Sequence, residues 1–229
     1  YDAIIFDCDG VLVEPTDPDV HRAAVRDAFR TFDVDQVNPT TVDRLVELTG
    51  DERDQLSAKS VEEIATEFGL DPNPFWQERE NLAAVAQLRE IEAGRKALYT
   101  DADVVRQLAG PDESRPMGVI SNNQHQLVVR MLEHYGLSEA FEAQYGREPT
   151  LAGLRRRKPN PYYAREVMAD LDSTNPVLIG DSQVDVRTAA RLGIDSVFLR
   201  REHRRDYELS AAPTYQIEAL TELPGLIEG

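Results

Sequence analysis

The sequence predicts an α/β fold in which a doubly wound parallel sheet carries an inserted all-helical domain. Short apolar runs alternate with stretches of helical periodicity along most of the 229 residues, which is the pattern of parallel βαβ units. Several of these runs end directly in acidic or hydroxyl side chains. Between the first and the second run, residues 14–93 contain helix signals and no convincing strand, which indicates the inserted domain.

Six apolar runs are predicted as strands, and they are residues 3–6, 117–120, 141–145, 177–179, 196–199 and 215–217. Helices are predicted at about 124–135, 161–170 and 183–192. Gly136 and Gly193 end the first and the last of these helices, because glycine readily adopts the left-handed conformation found at helix C-termini. Residues 146–157 are expected to form a long loop whose role the sequence does not indicate.

The predicted domains are a core made of residues 1–13 and 94–229 and a helical cap made of residues 14–93. Asp17 followed by Pro18 has the form of a helix N-cap with proline in the first turn. Residues 60–63 (SVEE) have the form of a capping box, and Gly69 closes that helix. Pro74 opens a longer helix whose apolar residues recur at helical spacing.

The chain is strongly acidic, with 42 Asp and Glu residues against 25 Lys and Arg residues and a formal net charge of -17. This charge repels nucleic acid phosphates and anionic lipids, so neither a nucleic acid nor a membrane partner is expected. Acidity combined with few lysines indicates adaptation to high salt, where counterions screen self-repulsion. No apolar run approaches the ~18–20 residues of a membrane span, and no signal peptide is visible. Cys8 is the single cysteine, which fits a reducing, cytoplasmic location.

Polar side chains follow three of the predicted strands, at the end where ligands bind in open parallel sheets. They are Asp7 and Asp9 after the first strand, Ser121 after the second, and Asp181 and Asp185 after the fourth. Strand alternation places Asp7 and Asp9 on one face and Cys8 on the other. Carboxylates that share one pocket repel each other unless a cation joins them, and Mg²⁺ is a hard ion that such oxygen ligands favour. Lys158 would neutralise further charge, and the Ser121 hydroxyl with nearby backbone N–H groups could hold phosphate oxygens.

Four short segments resemble the motifs of the haloacid dehalogenase (HAD) superfamily. They are FDCDGVL at 6–12, the strand-end Ser121, Lys158-Pro159, and GDSQVD at 180–185. All four occur in order, and the resemblance covers essentially the whole chain. The inserted helices resemble the cap of the phosphoglycolate phosphatase-like and β-phosphoglucomutase-like branch. The resemblance implies a Rossmann-like core and Mg²⁺-dependent hydrolysis of a small phosphorylated metabolite.

The resemblance also implies roles for the two acids of the first motif. Asp7 would be the nucleophile that forms an aspartyl-phosphate, and Asp9 would protonate the leaving oxygen and then activate water. The presence of Asp9 argues against the dehalogenases and phosphonatases of the superfamily, in which this aspartate is missing. A phosphosugar mutase stays possible, because it uses the same acids and passes the phosphoryl group to a sugar.

Ligand sets follow from the same resemblance. The implied Mg²⁺ ligands are Asp7, the backbone carbonyl of Asp9, and Asp181, with Asp185 as a ligand or a supporting group. The implied phosphate site is formed by Ser121, Asn122 and Lys158, with Gly10 permitting the turn after the acids. In the cap, Arg53 and Lys59 are candidate substrate contacts. The arginines at 155–157 could draw a phosphorylated substrate to the site.

Other interpretations of the same residues stay open. A phospho-acceptor signalling module also combines an acidic pair, Mg²⁺ and a lysine on a doubly wound sheet, and a binding protein without catalysis would keep the fold. Asp185 could simply cap its helix, and Ser121 with Asn122 could form an N-cap pair for the helix at 124–135. The natural substrate and the oligomeric state are not predicted.

Overall fold

A six-stranded sheet lies at the centre of the structure, a computed structural model that describes residues 1–46, 56–110 and 115–227. The strands are β1 (Ile4–Phe6), β2 (Met117–Gln124), β3 (Ala143–Arg147), β4 (Val177–Gly180), β5 (Asp195–Leu199) and β6 (Tyr215–Ile217). Their spatial order is β3-β2-β1-β4-β5-β6, and every neighbouring pair is parallel. The predicted α/β fold with a doubly wound parallel sheet is confirmed.

Helices connect the strands and fill the predicted insertion. They are α1 (Pro18–Thr31), α2 (Pro39–Arg44), α3 (Ala58–Glu67), α4 (Pro72–Glu92), α5 (Val104–Leu108), α6 (His125–His134), α7 (Leu151–Arg156), α8 (Tyr162–Asp170), α9 (Gln183–Leu192) and α10 (Leu223–Ile227). Short 3-10 turns lie at Thr100–Asp103, Ser138–Ala140, Glu202–Arg204 and Leu220–Glu222. In the described residues no helix is long and apolar enough to cross a membrane.

The central position of β1 follows from its uninterrupted apolar sequence. Ile4 and Phe6 face one buried apolar cluster, and Ile5 faces another on the opposite side of the sheet. A strand that is buried on both faces needs such a continuous apolar run. Ile5 pairs with Gly118 of β2 and with Leu178 of β4. The end of β1 therefore lies between the ends of β2 and β4.

The helix starts of the insertion agree only in part with the sequence prediction. The Asp17 side chain accepts a hydrogen bond from the Asp19 N–H (2.8 Å) and caps α1, with Pro18 as its first residue, as expected. The capping box at 60–63 was wrong. Ser57 caps α3 instead, because its hydroxyl accepts the Ser60 N–H (3.0 Å), so the helix begins one turn earlier.

Two other stretches contain more regular structure than the sequence indicated. Residues 146–157, predicted as a loop, contain the end of β3 and the whole of α7. Thr150 caps α7 by accepting the Gly153 N–H (3.0 Å). The long helix of the insertion begins at Pro72 rather than Pro74, because the Asp71 side chain caps it through the Asn73 N–H (3.0 Å).

The four helices α1–α4, here called the helical segment, share an apolar cluster of their own. Phe29 and Phe75 lie at its centre, with their rings 4.8 Å apart. Trp76 is fully buried in the same cluster, and Leu151 and Leu154 of α7 also belong to it. A second apolar cluster is what a separate cap requires. The division into a 14–93 cap and a surrounding core stays a prediction.

Candidate active site

Three neighbouring strands bring polar side chains to one edge of the sheet. Asp7 directly follows β1, Ser121 lies in β2, and Asp181 directly follows β4. The Asp7 N–H donates to the Ile179 carbonyl (2.8 Å), so pairing between β1 and β4 continues up to the first acid. The order of the strands brings these residues together at one edge of the sheet, as the sequence predicted.

Asp7, Asp181 and Asp185 form a buried carboxylate cluster. One carboxylate oxygen from each lies within 4.8 Å of the other two. Burial raises the pKa of Asp7 well above its usual range, and the nearby Asp185 and Asp181 charges act in the same direction, against the Lys158 charge. Three hard oxygen ligands at this spacing match the donor set that a divalent cation prefers, so the residues present fit the predicted metal.

Lys158 supplies positive charge to the carboxylate cluster. Its Nζ forms ion pairs with Asp7 Oδ1 (2.7 Å) and Asp185 Oδ1 (2.7 Å) and donates a hydrogen bond to the Ile120 carbonyl (3.3 Å). Burial alone would lower the pKa of Lys158, but the Asp185 and Asp7 charges outweigh it and raise the pKa. Asn122 fixes the position of the lysine backbone, because its Oδ1 accepts the Lys158 N–H (2.8 Å).

Gly10 is required both by its backbone angle and by its neighbour. Its φ is +80°, a left-handed conformation that L side chains rarely adopt. A Cβ at this position would lie 2.3 Å from Asp181 Oδ2. The glycine therefore lets the turn after β1 approach the carboxylate cluster.

The Asp9 side chain lies apart from the carboxylate cluster. Its Oδ2 accepts a hydrogen bond from Asn123 Nδ2 (2.7 Å) and a longer one from Ser121 Oγ (3.4 Å). Its Oδ1 forms an ion pair with Nζ of Lys96. The two acids of the first motif thus have different surroundings, which suits different chemical roles. The expectation that the Asp9 backbone carbonyl binds metal stays a prediction.

This arrangement can be compared with known proteins. Residues 4–199 match the family model of haloacid dehalogenase-like hydrolases. The chain belongs to this family. It is 26% identical over 229 residues to the phosphoglycolate phosphatase of Rhodobacter capsulatus, covering 99% of this chain and 97% of that relative. The predicted HAD superfamily membership and hydrolase class are confirmed.

Two solved structures share the fold of this HAD-like hydrolase. CbbY from Rhodobacter sphaeroides, crystallised in complex with phosphate, is 20% identical with a TM-score of 0.69, covering 97% of this chain and 96% of that one. The HAD-hydrolase YfnB from Bacillus subtilis, bound to magnesium, is 19% identical with a TM-score of 0.59, covering 100% and 99%. At these identities the likeness shows the fold alone.

Asp9 is part of a closed ring of polar contacts in this HAD-like hydrolase, which begins with its ion pair to Lys96. Lys96 Nζ donates to Thr16 Oγ1 (2.8 Å), and Thr16 Oγ1 donates to Gln87 Oε1 (2.7 Å). Gln87 Nε2 donates to Asn123 Oδ1 (3.0 Å), and Asn123 returns to Asp9. Sequence reasoning missed Lys96 and Gln87, because no motif marks them and they meet Asp9 only through the fold.

Two basic residues approach the carboxylate cluster from the turn after β5. His203 Nε2 lies 2.8 Å from Asp181 Oδ2, and Arg204 Nε donates to the same oxygen (2.9 Å). Burial would raise the pKa of Asp181, but the His203 hydrogen bond and the Arg204 charge outweigh it and lower the pKa. The sequence held one signal for this contact, the basic residues that follow the fifth strand.

The capping alternatives have different outcomes. Asp185 Oδ2 accepts the Ser182 N–H (3.2 Å) at the start of α9, so Asp185 caps the helix while its other oxygen binds Lys158. The N-cap pair formed by Ser121 and Asn122 was wrong. β2 continues to Gln124, which precedes α6 and makes no side-chain cap hydrogen bond.

A cavity of about 390 Å³ opens over the site. Besides the acids, Ser121 and Lys158, its lining includes the arginines Arg79, Arg147 and Arg157. Lys59 is exposed, pairs with Glu63 (3.6 Å) and is absent from the described lining, while Arg53 lies outside the described residues. Of the arginines at 155–157, Arg157 is the one that reaches the cavity within the described part of the chain.

Proposed function

We propose that this HAD-like hydrolase is a Mg²⁺-dependent phosphatase that hydrolyses small phosphomonoesters through an aspartyl-phosphate on Asp7. The observation that carries the proposal is the buried cluster of Asp7, Asp181 and Asp185, held by Lys158 and opening into one cavity. Asp7, Asp181 and Asp185 would hold Mg²⁺. When bound, the ion would neutralise negative charge on the carboxylates and on the phosphoryl group.

Two contacts hold the Asp7 carboxylate in one orientation, which supports its proposed role as nucleophile. Its Oδ1 accepts the Cys8 N–H (2.7 Å) and forms an ion pair with Lys158 Nζ (2.7 Å), and these two contacts hold the carboxylate in place. Attack by an Asp7 oxygen on phosphorus forms the O–P bond of the acyl phosphate as the ester P–O bond breaks. The Ser121 hydroxyl of β2 would bind an oxygen of the phosphoryl group during its transfer, and Lys158 would balance the charge of that group.

Asp9 would carry the proton transfers. It would give a proton to the leaving alkoxide in the first step and take one from the attacking water in the second, which releases inorganic phosphate. Asn123 and Lys96 bind its two oxygens and would fix its direction during both steps. The water-attack step is what separates a phosphatase from a mutase on the same fold.

The substrate is proposed to be a small phosphorylated metabolite. A cavity of about 390 Å³ lies at the small end of the range of ligand pockets, which suits a small ester. The relative from Rhodobacter capsulatus is named a phosphoglycolate phosphatase, which makes phosphoglycolate the first ester to test.

Replacement of Asp7 tests its proposed role as the nucleophile. Asp7→Asn should lower turnover of p-nitrophenyl phosphate in the presence of Mg²⁺ by at least about 1,000-fold, because the amide cannot form the acyl phosphate. Phosphate release is the measurement, and circular dichroism checks that the variant is folded. The exposed variant Glu92→Gln serves as the control and should keep full activity. Normal turnover by Asp7→Asn would remove the nucleophile assignment. An isomerised sugar phosphate without phosphate release would indicate a mutase instead.

A further inference from the structure

Two buried arginines line the cavity and share one carboxylate. Arg79 of α4 donates to Glu80 Oε1 (2.5 Å), and Arg147 at the end of β3 pairs with Glu80 Oε2 (2.5 Å). All three side chains are at least 97% buried. Two guanidinium groups and one carboxylate give this set a net charge of +1. Burying such a set is costly unless an anion joins it.

Their position relative to the reaction centre is set by direct bonds. Arg147 Nε donates to the Asn122 carbonyl (2.5 Å), so this arginine is attached to the residue that follows Ser121. Both arginines line the cavity that also contains Asp7 and Lys158. The arginine pair and the proposed reaction centre therefore border one cavity, so a single ligand can contact both.

Arg79 also has an unused hydrogen-bond donor. Its terminal nitrogens reach Glu80 and the Leu45 carbonyl (3.0 Å), but its buried Nε has no hydrogen-bond partner among the described residues. Buried polar groups in folded proteins nearly always have partners. Arg79 also lines the cavity, so its guanidinium group lies beside the space that a ligand would occupy. Guanidinium groups bind carboxylates and phosphates through paired N–H donors.

We infer that Arg79 and Arg147 form a subsite for a second anionic group of the substrate, a carboxylate or a phosphate on the alcohol part of the ester. This inference rests on the proposed phosphatase function. It assigns a specificity contact to these two arginines rather than to Lys59, which is exposed and absent from the described lining, while Arg53 stays a prediction. It defines the substrate class as short phosphomonoesters with an acidic group near the ester. Glu80 holds the two guanidinium groups in place and neutralises one of their two positive charges. The other charge is available to the ligand.

The test compares esters that differ only in the second group. Wild-type enzyme with Mg²⁺ is given 2-phosphoglycolate, ethyl phosphate and ethylene glycol bisphosphate, and kcat/KM is measured for each. We expect at least one of the two acidic esters to exceed ethyl phosphate by about 10- to 100-fold, the gain of one or two charged hydrogen bonds. Which acidic ester is better distinguishes a carboxylate from a phosphate as the second group.

The variants Arg79→Gln and Arg147→Gln are then measured on the same three esters. The ratio of kcat/KM for the preferred acidic ester to that for ethyl phosphate should fall to within about 3-fold of one, because the charge that attracts the second group is gone. This ratio is independent of the fraction of folded enzyme, and the milder variant Arg79→Lys should retain part of it. Arg89→Gln, an exposed arginine on the same helix, is the matched control and should keep the wild-type ratio.

The outcomes separate this inference from the proposed function. A wild-type enzyme that hydrolyses all three esters equally well overturns the subsite and leaves the phosphatase standing. A wild-type preference that survives in both glutamine variants also overturns it, and shows that the arginines only support the structure. Absence of hydrolysis with every ester would remove the proposed function and the subsite with it.

Discussion

Lys96 provides the positive charge beside Asp9, although it lies far from Asp9 in the sequence. Its side chain is 1% exposed, and it contacts both Asp9 and Thr16. A buried ammonium group at this position holds the Asp9 carboxylate in one orientation. Since Asp9 is proposed to move protons, Lys96 would act as a positioning residue for that step.

Lys96→Met should therefore slow the hydrolysis of esters whose leaving group needs a proton more than the hydrolysis of esters whose leaving group does not. We expect kcat for an alkyl phosphate to fall about 100-fold, the size of a general acid contribution, with a smaller loss for p-nitrophenyl phosphate. Steady-state kinetics on both esters is the measurement. The neighbouring variant Arg95→Met removes only an exposed pair with Glu90 and should leave both rates unchanged. Equal losses on the two esters would contradict the proposed role of Lys96.

At the level of single residues, the sequence predicted the site residues whose positions are set by the ends of the strands. Asp7, Ser121 and Asp181 could be identified because parallel strands carry their C-terminal residues to one edge. Lys96 and Arg147 could not, since one lies in a connection and the other in a stretch expected to be a loop. Their place at the site depends on tertiary packing, which leaves no local periodicity or motif.

At the scale of elements, α4 joins the helical segment to the sheet through Glu80. This carboxylate binds Arg147 of β3 and also accepts a hydrogen bond from Gln124 Nε2 of β2 (2.6 Å). Trp76, one turn earlier on α4, lies 5.0 Å from the Arg79 guanidinium and 5.7 Å from that of Arg147. Glu80, Arg79 and Arg147 thus form a polar junction between the apolar cluster of the helical segment and the apolar core at the sheet.

Glu80→Gln should destabilise the protein strongly, because two buried guanidinium groups would lose their carboxylate. We expect the free energy of unfolding to fall by about 3–5 kcal/mol at pH 7, measured by urea denaturation. The exposed variant Glu92→Gln on the same helix should change it by less than about 0.5 kcal/mol. A loss no larger than that of the control would show that the junction does not hold the helix to the sheet.

The effect of Glu80→Gln should also depend on pH in a defined direction. Burial would raise the pKa of Glu80, but the Arg147 and Arg79 charges outweigh it and lower the pKa. A carboxyl whose folded pKa is depressed stabilises the protein above its unfolded pKa, about 4.3, and loses that effect as pH falls through the folded value. The difference between wild type and variant should accordingly be full at pH 7 and shrink below about pH 4.

Element boundaries show where sequence patterns carry enough information. Long helices with glycine just after them, such as α6 and α9, were located to within about two residues. The short α5 and α7 were missed because five or six residues give too few turns to show periodicity. At α3 both Ser57 and Ser60 are N-cap residue types, and Ser57 caps the helix.

At the scale of the whole molecule, charge is distributed unevenly. The chain carries a formal net charge of -17, yet the cavity lining contains five Lys and Arg residues against three Asp residues. Those cations are Arg79, Arg147, Arg157, Lys158 and Arg204. The acidic surface repels large polyanions. The cations of the lining, three of which pair with the buried Glu80 and Asp185, can balance the charge of a small anion. This contrast supports a small phosphorylated substrate and argues against nucleic acid.

The surface charge leads to a prediction about salt. Repulsion among exposed carboxylates should destabilise the fold at low ionic strength, where the Debye length is ~10 Å at 0.1 M, and should be screened at 1 M, where it is ~3 Å. We expect the melting temperature to rise between 0.1 M and 2 M KCl, measured by calorimetry at pH 7. Choline chloride at equal ionic strength separates general screening from specific K⁺ binding. KM for an anionic ester should increase over the same range, because salt also screens the arginines of the cavity. A melting temperature that falls with KCl would contradict the inferred adaptation to high salt and leave the proposed chemistry untouched.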